Sequence, residues 1–374
     1  MPKRKPKLSF KSLLSFLTLL LVAYIIYANW TDIETALSHI RETNLFVLAL
    51  LVPEQMFMLF SGSQIFFSYI EARKTAKIPK TVKSKQPSSH RRHVSAWTMM
   101  RITLEANFVR QAFPSAGLSS TAYMAWRLQK YGSSSAQTSF IYLLRYFAIV
   151  CSNQLQTLFA ALFIVMSVNL STAGQTIVLL AALIALGTGF LLLSAIFLVS
   201  KKKRAIWFAR QGTKFFNTVF RFLTFGRKRK LFDPVRIESF LVELHESYLI
   251  ARENKHILKG PIFWGALYSI FEISSYWLVA MSLSHPEILP QIMIGEAVGS
   301  VAGAFVPYGL YELGMAGAMS ALGVEVGLAS LVVVITRILV LGETLLFGYI
   351  FYQRTLLKTG TPSFRIFSSE QEKR

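Results

Sequence analysis

Eight charged side chains lie within long apolar stretches of the sequence, where ionisable groups are costly. They are Glu54, Arg110, Arg145, Glu272, Glu296, Glu312, Arg337 and Glu343. Inside a membrane helix each such group costs about 2.5–3.5 kcal/mol on insertion scales, so each should be paired or face water. The planar guanidinium group of arginine can donate two parallel hydrogen bonds to a phosphate. These residue types therefore favour either the binding of an anionic group or ion pairs that hold helices together.

The composition indicates that the surroundings of these charges are a membrane. Of the 374 residues, 53% are hydrophobic and 16% are charged, whereas soluble domains average about 25% charged residues. The single cysteine, Cys151, cannot form an intramolecular disulfide. These values exclude a soluble enzyme, a disordered chain and a disulfide-stabilised domain, and they indicate a polytopic membrane protein.

Six stretches are long and apolar enough to cross a bilayer as helices, for which about 20 residues suffice. They are 12–31, 43–70, two within 146–200 separated by a polar turn at 169–174, 261–284 and 327–352. We therefore predict an all-α polytopic integral membrane protein with about six full transmembrane helices.

Two further apolar segments, 95–127 and 291–323, are each interrupted near the middle by proline and glycine. The interruptions contain Pro114 and Gly117 in the first segment and Pro307 and Gly309 in the second. Proline removes a helical hydrogen-bond donor and glycine tolerates non-helical backbone. Each segment is thus predicted to form a broken or re-entrant hairpin of two half-helices, and the breaks should face protein or a wet cavity.

The basic residues are concentrated in four segments that six spans put on one side of the membrane. The segments 3–11, 73–101, 201–259 and 354–374 carry 34 of the 40 Lys and Arg residues. This positive-inside bias predicts that both termini are cytoplasmic, and it explains the net charge of +21 without a nucleic-acid partner. The predicted domains are a basic tail at 1–12, one transmembrane domain at 13–353 with cytoplasmic loops 71–94 and 201–259, and a cytoplasmic tail at 354–374.

The two broken segments resemble each other in spacing. Pro114 precedes Gly132 by 18 residues and Pro307 precedes Gly323 by 16, and an arginine, Arg145 or Arg337, follows each glycine by 13 or 14 residues. The first segment follows an even number of spans and the second an odd number, so they should enter the membrane from opposite sides. Inverted repeats with discontinuous helices are typical of transporters, whose site lies near the midplane between the halves.

The same residues resemble motifs of the lysylphosphatidylglycerol synthase transmembrane-region family, also called flippase-like membrane proteins. The first motif matches here as Asn107, Pro114, Gly117, Arg127, Gly132 and Arg145, and the second as Pro307, Gly309, Leu310, Glu312, Gly323 and Arg337. The chain departs from the first motif at Ser115, where the family has glycine. The resemblance extends over most of 13–353 and implies a membrane domain that handles lipids. The full-length synthases carry a C-terminal transferase domain, which we expect to be absent because the chain ends shortly after its last span.

The resemblance and the buried charges together predict a flippase-like protein of the cytoplasmic membrane, which is not an enzyme. Its expected cargo or ligand is a membrane lipid with an anionic or zwitterionic head, such as an aminoacylated phospholipid, a glycolipid or a lipid-linked sugar. The expected lipid pathway combines the motif residues with charges of the spans, namely Glu54, Asn107, Arg110, Pro114, Gly117, Arg127, Arg145, Pro307, Gly309, Glu312 and Arg337.

Two alternatives to lipid translocation remain open from the sequence. One is a non-transporting partner that presents lipid to a separate lipid-modifying transferase, and the other is a small-solute transporter. The sequence contains no Walker motif and no metal-ligand spacing, so neither a cofactor nor a metal is predicted.

The charge distribution predicts which loops an impermeant reagent can reach. In a Cys151→Ser background, Ser171→Cys and Ser284→Cys should be labelled by an impermeant maleimide in intact cells, because both lie in predicted outer loops. Ser88→Cys should be labelled only after the membrane is opened. Labelling of Ser88→Cys in intact cells would contradict the predicted topology.

Overall fold

The computed structural model describes residues 43–77, 79, 94–112, 118–167, 170–223, 234–305 and 309–359, together with the single positions 27, 30 and 34. Within these ranges the regular structure is helical. The helices are α1 (Leu45–Ala49), α2 (Leu51–Lys74), α3 (Ala96–Ala112), α4 (Leu118–Gln129), α5 (Ser135–Ser167), α6 (Thr172–Val199), α7 (Lys202–Leu223), α8 (Pro234–Glu253), α9 (His256–Ser282), a short 3-10 helix (Pro286–Ile288), α10 (Leu289–Phe305), α11 (Leu310–Ala321) and α12 (Val326–Thr359). The predicted all-α class is confirmed.

Five of the predicted spans are present as helices long and apolar enough to cross a membrane. They are Leu45–Lys74, Ser135–Ser167, Thr172–Val199, His256–Ser282 and Val326–Leu357. The first predicted span, 12–31, lies outside the described residues. The fifth span begins earlier than predicted, so that Pro261 lies inside α9 rather than at its start.

The two interrupted segments form pairs of half-helices, as predicted. In the first pair, α3 has 17 residues and α4 has 12, and α10 and α11 of the second pair have the same lengths. At 1.5 Å per residue these helices are about 25 and 18 Å long, shorter than the hydrocarbon core of about 30 Å. We call α3–α4 hairpin one and α10–α11 hairpin two. Their connecting turns, with Pro114, Gly117 and Pro307, lie outside the described residues.

The two hairpins end in the same backbone motif. After α4, the N–H groups of Gly132 and Ser133 donate to the carbonyl oxygens of Gln129 and Leu128. After α11, Gly323 and Val324 make the same pair of bonds. Both glycines have positive φ, +79° and +94°, a conformation that glycine adopts at little cost at the end of a helix. The repeat inferred from spacing therefore has a structural counterpart.

The first half (α2–α5) and the second half (α9–α12) run in opposite directions. Their leading helices, α2 and α9, pack antiparallel: the N–H of Asn44 donates to the Ser282 carbonyl oxygen at 2.7 Å at one end, and that of Lys77 donates to Oδ1 of Asn254 at 3.0 Å at the other. Equivalent elements that point in opposite directions are the defining property of an inverted repeat.

The open ends of the two hairpins lie on opposite sides of the structure. Hairpin one ends near the C-terminal end of α2, and hairpin two ends near the C-terminal end of α9. Tyr131, at the end of hairpin one, lines a cavity with Arg73 near the end of α2. Val324, at the end of hairpin two, packs with Ile288 and Leu283 just beyond the end of α9. Because α2 and α9 are antiparallel, these ends are on opposite sides, and the predicted inverted arrangement of two re-entrant hairpins is confirmed.

Each hairpin packs against the long helix of the other half. In hairpin one, Phe108 of α3 contacts the aromatic rings of Tyr349 and Tyr352 in α12. In hairpin two, Ile294 of α10 lies in a cluster with Ile164 of α5. The two halves are therefore packed into one another through their hairpins.

Hairpin two is closed by a glycine stripe on α10. A Cβ atom added to Gly295, Gly299 or Gly303 would lie 2.9–3.0 Å from atoms of α11, including Tyr311 and Met315. The stripe allows the two backbones to approach closely, as small residues do in membrane helix pairs.

A matched pair of alanine substitutions tests this packing. Gly299→Ala should lower the stability by about 1–3 kcal/mol, because its methyl group meets the Met315 Cβ at 2.9 Å and the Tyr311 carbonyl oxygen at 3.0 Å. Gly317→Ala in α11 gains the same helix propensity and meets nothing within 4 Å. The melting temperature in detergent should therefore fall only for Gly299→Ala, and equal values for the two variants would contradict the packing.

Candidate functional site

The middle of α9 carries polar side chains on one face, between the two halves. Tyr268, Glu272 and Tyr276 are four residues apart, so they lie close together along one side of the helix. Both tyrosines are buried, and Glu272 is partly buried. Of these three residues only Glu272 is conspicuous in the sequence, and the spacing of the two tyrosines was the signal that could have identified them.

Arg145 of α5 lies against this face. Its side chain is buried, and its guanidinium carbon lies 5.2 Å from the centre of the Tyr268 ring. This is a cation–π distance. Glu272, one turn further along α9, interacts electrostatically with the same arginine.

Arg337 of α12 approaches from the second half. Its Nε lies 2.8 Å from Oε1 of Glu312, and its guanidinium carbon lies 4.5 Å from the centre of the Tyr311 ring. The Tyr311 hydroxyl is in turn 2.9 Å from that of Tyr276 on α9. Among the described residues, the salt-bridge partner of Arg337 is therefore Glu312 rather than Glu272 or Glu343.

Glu312 also holds the start of α11 at the tip of hairpin two. Its Oε2 accepts a hydrogen bond from the backbone N–H of Gly309 at 2.8 Å, which caps the helix. Gly309 has a φ of +86°, so glycine suits this position. One carboxylate thus fixes the hairpin tip and orients an arginine of the following span.

Three arginines share Glu272 as an electrostatic partner. Arg110 near the tip of hairpin one, Arg145 and Arg337 all interact with this carboxylate. Arg110 is exposed. The structure therefore brings the equivalent arginines of the inverted halves, and the end of hairpin one, to the same part of α9.

A row of amide and hydroxyl groups continues from this centre between α5, α9 and α10. Asn153 of α5 accepts a hydrogen bond from Ser269 of α9 and donates to Oε2 of Glu296 at 3.5 Å. Gln156 donates to the same serine at 2.7 Å. The sequence analysis did not identify Asn153 or Gln156, since uncharged polar residues are not conspicuous in an apolar run.

Glu54 belongs to a separate buried cluster on the α2 side of α9. The Ser275 hydroxyl donates to Oε2 of Glu54 at 3.0 Å, and the Gln55 amide donates to the same oxygen at 3.1 Å. Glu343 of α12 is also close enough to Glu54 to interact with it, and this interaction is repulsive when both carboxylates are charged. The hydrogen-bond partners of Glu54 are therefore its chain neighbour Gln55 and Ser275 of α9.

Arg127 and Asn107 lie in hairpin one, Arg127 in α4 and Asn107 in α3. The Nε of Arg127 is 3.0 Å from Oε2 of Glu105, which also accepts hydrogen bonds from Tyr123 at 2.8 Å and, at its other oxygen, from Thr355 at 2.7 Å. Asn107 is buried in α3. Arg127 thus contributes to an ion-pair network that ties hairpin one to α12.

The described residues contain no group of three or more His, Cys, Asp or Glu side chains that could hold a metal ion. The centre combines guanidinium groups, phenolic hydroxyls and amides with the carboxylates of Glu272, Glu296 and Glu312. Guanidinium, hydroxyl and amide groups bind anions and polar headgroups.

Comparison with known proteins gives one match. The family model described as "Lysylphosphatidylglycerol synthase TM region" matches residues 10–348, which is most of the chain. The search of curated proteins and the search of solved structures gave no match.

The Glu105–Arg127 pair gives a stability prediction. Arg127→Gln leaves the fully buried Glu105 carboxylate without its closest cation, which should cost about 3–5 kcal/mol. The melting temperature should fall markedly and recover in the Arg127→Gln/Glu105→Gln double variant. Arg252→Gln, at an exposed position of α8, is the control. If Arg127→Gln proves as stable as Arg252→Gln, the ion pair with Glu105 does not stabilise the protein.

Proposed function

The chain belongs to the lysylphosphatidylglycerol synthase transmembrane-region family, and we propose on this basis that it binds the headgroup of a polar lipid between its inverted halves and moves that lipid across the membrane. The observation that carries this proposal is that Arg145 lies against Tyr268 of α9 and that Arg337 reaches Tyr276 of the same helix through Tyr311. The two arginines occupy equivalent positions in two halves of opposite orientation, each about one third of the way along its helix.

The arginines have the chemistry that a lipid phosphate requires. A guanidinium group donates two parallel hydrogen bonds to phosphate oxygens, and its charge remains at any physiological pH. Arg337 is held by Glu312, while Glu272 supplies negative charge near both arginines. An arriving phosphate would exchange these carboxylate interactions for its own.

The inverted repeat supports transport rather than binding alone. In transporters built this way, discontinuous helices form the site near the midplane, and the two halves rock around it. Here each half contributes one hairpin and one arginine, so the two entrances are structurally similar. The family membership favours a lipid over a small solute as cargo, because the family is defined by a lipid synthase's membrane region.

The proposed cargo class is an anionic or zwitterionic phospholipid, an aminoacylated phospholipid, or a lipid-linked sugar. The protein itself is proposed to perform no covalent chemistry, and a separate lipid-modifying transferase would be a natural partner. The proposed location is the cytoplasmic membrane with both termini inside, which the concentration of Lys and Arg in the segments 3–11, 73–101, 201–259 and 354–374 supports.

Lipid movement can be measured in vesicles that contain the purified protein and a headgroup-labelled lipid. Dithionite destroys label in the outer leaflet only, so the additional loss of signal reports movement from the inner leaflet. We expect faster loss than in protein-free vesicles for a phospholipid or a polyprenyl-phosphate probe. No acceleration with either would favour the alternative of a non-transporting partner.

Conservative substitutions connect this activity to the site. Arg145→Lys and Arg337→Lys keep the charge but lose the bidentate fork, so each should slow movement by roughly tenfold or more while the melting temperature stays near that of the wild type. Arg252→Lys, on the exposed surface of α8, is the matched control. Unchanged movement in both site variants would remove these arginines from the lipid path.

A further inference from the structure

The cytoplasmic helix α7 has one face that packs on the protein. Ala205, Ala209 and Thr213 are buried and four residues apart, so they form a single stripe along the helix. α7 packs against α8 and the end of α6. The orientation of α7 about its own axis is therefore fixed by packing.

The opposite side of α7 exposes aromatic and basic side chains together. Trp207 is 61% exposed and Phe208 is 46% exposed. Lys203 and Lys214 are exposed on the same helix. Two residues separate α7 from the end of α6, which is a membrane span. This side of α7 therefore lies where the bilayer meets the cytoplasm. Amphipathic helices with large apolar residues beside Lys and Arg lie in the plane of that interface.

A groove between α7 and α8 collects the basic groups around the tryptophan. Its lining includes Lys203, Trp207, Arg210 and Lys214 of α7 and Pro234 of α8. Arg210 is neutralised by Glu238 of α8, with Nε and Oε2 3.1 Å apart. Within the described part of the chain, Lys203 and Lys214 have no carboxylate within salt-bridge distance, so the groove keeps an excess of positive charge.

The groove is built on a rigid base. Nδ1 of the buried His245 in α8 donates a hydrogen bond to the Val199 carbonyl oxygen at the end of α6, with 2.6 Å between the two atoms. Leu244 and Ile250 of α8 belong to the main hydrophobic core. The lysines are therefore presented by helices that are fixed to the transmembrane domain.

We infer that the α7–α8 groove is a binding site for anionic phospholipid headgroups of the cytoplasmic leaflet. Lys203 and Lys214 supply the positive charge that attracts the headgroup phosphates, and Trp207 packs at the level of the glycerol and upper acyl chain. Charge complementarity favours this occupant, because the leaflet beside the groove is negatively charged and each nearby Lys or Arg strengthens attachment to it. This site is distinct from the centre at Arg145 and Arg337, and the inference does not rest on the proposed function.

Native mass spectrometry of the full-length protein with equimolar phosphatidylglycerol and phosphatidylcholine tests this inference. The wild type should retain phosphatidylglycerol preferentially. The Lys203→Gln/Lys214→Gln variant should bind it roughly tenfold or more weakly, since each cation near an anionic surface strengthens binding by about fivefold. The matched control, Lys255→Gln/Lys259→Gln, removes the same charge from exposed cytoplasmic positions outside the groove, and its retention should equal that of the wild type.

Three results would overturn the inference. One is unchanged phosphatidylglycerol retention in the groove variant, and another is an equal loss in groove variant and control, which would mean that charge acts without a site. The third is the absence of any lipid preference in the wild type, which would leave this surface to a cytoplasmic protein. Equal melting temperatures of the two variants check that the substitutions have not altered the fold.

Discussion

The cost of placing charge inside an apolar bilayer is the constraint on which the rest of this structure depends. Two of the costly arginines are paired with a carboxylate from a different helix: Arg337 with Glu312, and Arg127 with Glu105. The helix α9 carries the groups that face both halves, with Glu272 near the arginines and Ser275 hydrogen-bonded to Glu54. Because an isolated charge in lipid is so unfavourable, the helices that bear these groups must converge, and the arrangement of the spans follows.

The two hairpins have similar shapes but are stabilised by different physics. Hairpin one is held by the buried ion-pair network of Glu105, Arg127, Tyr123 and Thr355. Hairpin two is held by close backbone packing at a glycine stripe, and its tip is tied by Glu312 to both its own backbone and Arg337. The ion-pair network thus ties hairpin one to α12, whereas Glu312 connects the tip of hairpin two directly to Arg337.

The helices α7 and α8 connect the two halves and are part of the folded domain. Their contacts with α6 and the core hold the basic surface of α7 in one orientation relative to the membrane spans.

Composition, charge bias and the spacing of a few residues determined much of this protein from the sequence alone. Apolar runs of about 20 residues predict spans because a helix must satisfy its own backbone in lipid. The nearly equal spacing from Gly132 to Arg145 and from Gly323 to Arg337 predicted an inverted repeat, and matching helix lengths and helix ends confirm it. These features are local or periodic, so they can be recognised from the order of residues along the chain.

Only the tertiary structure decided which charges meet. Glu105 lies in the first interrupted segment, and its partners Arg127 and Thr355 come from different elements. Other contacts likewise join residues far apart in the chain. They are the hydrogen bond between Tyr276 and Tyr311 and the hydrogen bond between Asn153 and Glu296. From the sequence alone, Arg145 and Arg337 could either line a lipid path or form ion pairs that hold helices together. The partner of a buried charge depends on how helices rotate and pack. That rotation is set by the sum of many contacts between distant residues, which spacing along the chain does not encode.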